Sequence, residues 1–222
     1  MPPPWEERPV SAPVRRRYAP RVGAVERREQ LLDAALHLAA TEGMTHVTME
    51  GVARAAGVTK PVVYELFPQR GALYEALLDR EEARALEQLR AVVPPELGTL
   101  AADRLVATSI AALVTAVRGR PDAWTLLLQA PESMPPGMRD RYERRRAELV
   151  TAVAGLVAAG RARGRHGGPQ DDELLAESLV ALGELIGRLV LRRPDYYPED
   201  RLARFIEELA VRVLPPPDGR DT

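Results

Sequence analysis

The sequence predicts an all-α fold, with a three-helix unit containing a helix-turn-helix at the N-terminal end and a larger helical domain after it. Three observations predict it. From Gly23 to Leu214 no stretch sustains period-2 alternation with β-branched or aromatic enrichment, so no strand is expected. The 16 Gly and 20 Pro fall mostly at seams, among them Gly43, Gly57, Pro68, Pro94, Pro121, Pro135, Pro194 and Pro215, and the stretches between seams have helical length. The third is the run from Thr48 to Phe67, in which two short helical segments flank a Gly turn.

Composition narrows the function classes. The chain has 222 residues, 45% hydrophobic and 28% charged, a globular balance that excludes wholesale disorder. No apolar run approaches the ~20 residues of a membrane helix, so no membrane partner is expected. The N-terminal Met1 to Trp5 lacks the apolar core of a secretory signal. Cys is absent, which removes disulfides, thiol nucleophiles and Cys-ligated zinc. Together these point to the cytoplasm. Lys plus Arg is 31 and Asp plus Glu is 32, for a net charge of −1, so any nucleic-acid site must be a local patch. Lys60 is the only lysine, a bias toward Arg best read as compositional.

Residues 1–21 carry six prolines and the run Arg15 to Arg17, with a net charge of +3. Proline this dense blocks helix and central strand alike. The segment reads either as a solvated tail or as a basic arm for DNA phosphates or the minor groove. The first helix is expected at Val25–Thr41, with Leu31, Leu32, Ala35, Leu36 and Ala39 on one face. A second follows at Met49–Ala56 behind Thr48 as N-cap. Its capping box is incomplete, because Gly51 sits where Glu or Gln would reach back. A third runs from Lys60 to about Phe67 behind Thr59, with Pro61 in its first turn. A fourth begins near Gln69 and continues toward Val92. Longer helices are expected at 99–118, 122–130, 137–163, 171–193 and 199–214. Several open on acids, as at Asp171 to Glu173, which suits the positive end of the helix dipole. The expected organisation is an arm at 1–21, a helix-turn-helix domain at 22–70 with its motif at 48–67, a larger domain at 71–214 and a tail at 215–222.

The motif Thr48–Phe67 meets the demands of two short helices crossing at a sharp angle. Val52, Ala53 and Ala56 face inward, and Ala53 is small where the second helix crosses. Gly57 supplies the left-handed residue of the turn. Val58 plugs the turn interior, and Val63 with Leu66 or Phe67 buries the second helix. An ordinary αα-hairpin remains the alternative to a helix that enters a major groove.

Residues 24–77 resemble the DNA-binding domain of the TetR family of transcriptional regulators. The residues that carry the resemblance are Ala53, Ala56, Gly57, Val58, Thr59, Tyr64, Phe67, Arg70 and Leu73. Arg70 stands where the family usually has Lys, Leu66 where many members have a polar or aromatic residue, and Gly71 where an acid is common. The resemblance implies double-stranded operator DNA as a partner. It assigns phosphate contacts to Thr48, Thr59, Tyr64 and Arg70, and base-edge contacts to Lys60, Pro61 and Val62. Charges over 22–70 sum to −1, which favours a helping role for the basic arm.

The resemblance further implies that the larger domain binds a small ligand and forms a homodimer. For dimerisation, one stripe comprises Leu175, Leu179, Leu182, Ile186 and Val190, with Gly183 and Gly187 permitting close approach. A second comprises Leu202, Phe205, Ile206, Leu209 and Val213. The alternative is that both stripes face their own core. For a hydrophobic effector, Trp124, Leu127, Leu128, Met134, Met138 and Tyr142 are the candidate lining, with ordinary core packing as the alternative. Enzymatic readings have little support. His37, His46 and His166 have no partners at metal spacing, no phosphate-cradling Gly loop follows a strand, and neither cofactor nor metal is expected. The expected function is a repressor released from a palindromic operator by ligand. The alternatives are a DNA-binding regulator without an effector, or a helical interaction protein that has lost DNA binding.

Overall fold

The computed structural model describes residues 23–92, 100–129, 136–164 and 171–215. The basic arm at 1–21, Met134 and His166 lie outside the described residues. Among the described residues there are nine α-helices and no strand. They are α1 (Ala24–Thr41), α2 (Met49–Ala55), α3 (Lys60–Leu66), α4 (Arg70–Val92), α5 (Ala102–Gly119), α6 (Pro121–Leu127), α7 (Pro136–Ala162), α8 (Asp172–Arg192) and α9 (Glu199–Val213). A 3₁₀ turn at Met44–His46, which the periodicity does not reveal, joins α1 to α2. None of the described helices is long and apolar enough to cross a membrane.

The first core forms where α1 lies across α2 and α3. Leu31, Leu32, Ala35, Leu38 and Ala39 of α1 are buried against Met44, Val47, Val52, Ala53, Val63 and Phe67. Leu38 takes the buried place that the sequence reading gave to Leu36, which is half-buried; the α-helical period brings i+7 back onto the Leu31 face. The first half of α4 completes this core through Leu73, Tyr74, Leu77 and Leu78. The second core gathers Ile110, Val114 and Val117 of α5, Ile186 and Val190 of α8, and Leu202 and Ile206 of α9. Helices α7 and α8 run antiparallel, joined by Val150 against Ala176 and Val180 at one level and by Val157 against Leu175 at another.

Two devices join the cores. The short helix α6 contributes Leu126 to the first core and Trp124 to the second. Helix α4 carries a run of charges, Asp79 to Arg84, that pair with neighbouring elements. Glu81 is fully buried and accepts from Arg120 Nη2 at 2.6 Å and Arg80 Nε at 2.8 Å. Arg80 reaches α1 at Asp33 (2.8 Å) and Glu29 (3.1 Å), and Arg84 reaches Glu29 at 2.8 Å. Asp79 and Glu82 hold Arg141 of α7 at 2.8 and 2.7 Å. A buried carboxylate is tolerated only when charge-assisted hydrogen bonds replace its water, and Glu81 has them from α4 itself and from the corner between α5 and α6.

Arg120→Ala is expected to destabilise the fold by about 3 kcal/mol, because it strips a buried carboxylate of its shortest partner. Arg204→Ala removes an exposed ion pair with Asp200 and is expected to leave the urea midpoint unchanged. Equal midpoint shifts for the two variants would remove the special standing of Glu81.

Candidate nucleic-acid interface

The geometry of the interface begins at Thr48. Its hydroxyl accepts from the Gly51 N–H at 2.9 Å and caps α2. A Cβ at Gly51 would lie 2.7 Å from the His46 carbonyl oxygen and 3.1 Å from Thr48 Oγ1. The capping box is therefore missing for a steric reason: the backbone before α2 folds back over Gly51 and leaves no room for a side chain. The C-terminus of α2 closes in a Schellman motif. Gly57, at φ +65°, donates to Arg54 O at 3.2 Å, and Val58 donates to Ala53 O at 2.9 Å. Gln30 of α1 donates to Ala56 O at 3.2 Å and fixes this turn against α1.

Helix α3 leaves that turn anchored by Val63 and Phe67, both buried, with Leu66 partly buried beside them. Its other face is open. Thr59, Lys60, Pro61, Tyr64 and Glu65 are exposed, Tyr64 by 51%, and Val62 is half-buried. Thr59 caps α3 by position only, with no side-chain cap bond, so its hydroxyl stays available. Lys60 Nζ sits 2.7 Å from Glu50 Oε2. The ammonium hydrogen bond and charge hold the Glu50 carboxyl below the usual carboxylate range, with Arg54 one turn along α2 adding to the effect.

Arg70 departs from its expected phosphate contact. Its Nε donates to Val47 O at 3.0 Å, and its Nη2 to Met44 O and Thr45 O, both at 3.2 Å. These carbonyls belong to the 3₁₀ turn and the residue after it, and the guanidinium fork gives them donors beyond the Val47 N–H that Met44 O already accepts. It also lies 4.9 Å over the Tyr74 ring, whose hydroxyl proton is shared between Met44 O and Val47 O at 3.1 and 3.0 Å. Burial pushes the Tyr74 phenol up, with Arg70 opposing. Arg70 and Tyr74 thus form a clamp on the approach to α2. Sequence reasoning missed the clamp and the role of Gly51; the i, i+4 spacing of Arg70 and Tyr74 was the available signal.

Among the described residues, those expected to line a ligand pocket are divided between the two cores. Trp124 packs in the second core and donates its indole N–H to Gln88 Oε1 at 3.3 Å, while Leu127 and Leu128 flank that core. Met138 is buried in the first core, with Tyr142 partly buried against it, its hydroxyl on Glu184 at 3.0 Å. The helix α6 junction accounts for this, since it divides the stretch between two cores.

The expected dimer stripes are also largely spoken for. Leu175, Ile186, Val190 and Leu202 are buried within their own chain. Gly183 admits Leu113 of α5, and Gly187 is pressed against Leu128, so the close approach they permit is intramolecular. Leu179, Leu182 and Leu209 instead line an apolar groove of about 210 Å³ between α5, α8 and α9. Phe205, one turn before Leu209, is 55% exposed. Among the described residues no group of three His, Asp or Glu is placed to hold a metal ion.

An exposed second helix, fixed from behind by α1 and held in angle by a Schellman turn, defines a helix-turn-helix DNA-binding protein. Residues 31–77 match the family described as bacterial regulatory proteins, tetR family. The chain is 27% identical over 191 residues to the nucleoid occlusion factor SlmA of Vibrio atlanticus (strain LGP32), covering 84% of this chain and 95% of that one. A TetR-like transcriptional regulator from Rhodococcus sp. RHA1 superposes with a TM-score of 0.68 at 25% identity, over 86% of this chain and 97% of that chain. The regulator FadR of Bacillus subtilis, solved with stearoyl-CoA, shares the fold, with a TM-score of 0.67 at 16% identity over 82% of this chain and 97% of its own. The N-terminal unit thus matches the DNA-binding domain of the tetR family, and the chain as a whole shares the fold of a TetR-like transcriptional regulator.

Gly51→Ala is expected to cost about 1–3 kcal/mol through the forced approach to backbone. Gly71→Ala, in α4 with nothing within 4 Å of the added Cβ, is expected to leave stability unchanged or raise it by under about 1 kcal/mol. Urea unfolding of the two variants side by side checks the contrast.

Proposed function

We propose that the protein is a cytoplasmic, homodimeric repressor that binds a palindromic operator through α3. The observation that carries this reading is the open face of α3. Lys60, Pro61 and Tyr64 project from a helix whose opposite side is locked into the first core, so the reading head is rigid and open to solvent. Thr48 and Thr59, at the starts of α2 and α3, are the proposed phosphate contacts. Lys60, Pro61 and Val62 are the proposed base-edge contacts. Tyr64 contacts phosphate through its hydroxyl, and Arg70 acts by holding the turn before α2.

The proposed dimer surface is the part of the stripes left open: Leu179, Leu182 and Leu209 in the groove, with Phe205 beside it and Leu185 (49% exposed) one turn beyond Leu182. A two-fold axis through this face pairs two α8 and two α9 helices, and presents two copies of α3. A small apolar effector is proposed to act at α6. That helix stands in both cores, so a molecule that shifts it moves the reading heads apart. The effect is limited to the ligand's differential affinity for the two states. A second reading, a DNA-binding regulator without an effector, draws on the relatives named nucleoid occlusion factors.

Footprinting on genomic fragments is expected to show two protected half-sites about 34–36 Å apart, the spacing of successive major grooves. Lys60→Ala and Tyr64→Ala should each weaken that binding by about 1–3 kcal/mol. Protection of a single half-site, or equal affinity for unrelated duplexes, would overturn the specific-operator reading. Phe205→Glu should yield a folded monomer in sedimentation equilibrium, where wild-type protein is a dimer. A thermal-shift screen separates the two effector readings, since a true effector raises the melting temperature by mass action.

A further inference from the structure

The helix-turn-helix carries an acid where a DNA-binding surface least needs one. Glu50 lies in the first turn of α2, 66% exposed at its side chain, and its carboxylate is 2.7 Å from Lys60 Nζ. Lys60 is the only basic residue of α3. The other cations of this domain are engaged or displaced from α3. Arg70 is bonded to three carbonyls, Arg28 covers the Phe67 ring, and Arg27 donates to Gln30. Arg54 stands on α2, one turn from Glu50, and contributes to holding its charge. The cation best placed to meet DNA is therefore already neutralised by an intramolecular partner.

We infer that Glu50 is a specificity-determining residue, which lowers affinity for non-cognate DNA by occupying Lys60 until an operator contact displaces it. The inference rests on the DNA-binding reading above. Non-specific binding comes almost wholly from cations that release phosphate counterions. A Lys held by a carboxylate releases few. At a cognate site the base-edge acceptors and the remaining contacts of α3 offset the lost ion pair, which is weak because both side chains are exposed. At a random site only a phosphate contact is on offer, and it does not repay the lost ion pair. Discrimination then rises through a penalty applied to wrong partners rather than through a stronger right one.

The test is Glu50→Gln binding to a mixed-sequence duplex across a salt series. The variant is expected to bind about three- to tenfold more tightly than wild type near physiological salt. Its log–log salt slope should steepen by about 0.9, one added phosphate contact. Glu143→Gln, the same charge change on an exposed face of α7, should leave both unchanged. In a Lys60→Gln background the Glu50→Gln gain should vanish. Both side chains are more than half exposed, so melting temperatures should match that of wild type. Unchanged affinity and slope in Glu50→Gln would overturn the inference. So would an equal gain in Glu143→Gln, or a gain that persists without Lys60, since either marks general repulsion. Weaker binding in Glu50→Gln would show instead that the carboxylate holds Lys60 ready for DNA. If neither wild type nor variant binds any duplex at low salt, the DNA-binding reading fails first, an outcome distinct from a wild type that binds and a variant that binds equally well.

Discussion

A carboxylate without water holds the two halves of the molecule in register. Glu81 lies fully inside the protein, and its partners come from α4 itself and from Arg120 at the corner between α5 and α6. The same arginine that bonds Glu81 within α4, Arg80, extends to Glu29 and Asp33 of α1. One buried anion thus links the helix that backs the reading head to the corner that starts the second core. Replacement by apolar side chains would hold the layers together as well, but it would not fix their angle. A short charge-assisted hydrogen bond has a direction, whereas packed methyl groups tolerate sliding. The neighbouring pairs of Arg141 with Asp79 and Glu82 extend the constraint to α7.

The reading head depends on this frame in a graded way. Its local shape comes from backbone geometry: the Thr48 cap, the close fold-back over Gly51, and the left-handed turn at Gly57. Its placement comes from α1, through Gln30 at the turn and the buried row from Leu31 to Ala39. Its approach is set by Arg70 and Tyr74, which spend polar groups on carbonyls rather than on DNA. The few residues left for DNA stand on a surface of low positive charge. On the proposed DNA-binding reading, recognition comes from fit and from base edges more than from bulk attraction.

Much of this was readable from the sequence, and the reasons differ by element. The helices were legible because Pro and Gly sit at their ends, and their bounds agree to within a few residues. The helix-turn-helix was legible because Ala53, Gly57, Val58 and Val63 each answer a steric demand at fixed spacing. Arg70 was not, because a guanidinium suits phosphate and carbonyl equally, and only the course of the 3₁₀ turn decides between them. The pairings made by Asp79 to Arg84 were not legible, since periodicity does not reveal that neighbouring elements converge on them. The apolar stripes of α8 and α9 were legible as stripes. Which of their residues face inward depends on α5 and α6, whose register no local pattern shows. The same limit applied to Trp124, Leu127, Leu128, Met138 and Tyr142, which read as one lining and are divided between two cores.

That division has a consequence for how the molecule comes apart. Helix α6 is seven residues long, too short to hold its shape alone, yet it fills a place in each core. Melting of the first core would strip Leu126 of its neighbours and loosen Trp124; melting of the second would do the reverse. The halves are therefore thermodynamically coupled, and a stable fragment containing either one alone is disfavoured. Heat or denaturant should meet one cooperative unit rather than two beads on a string.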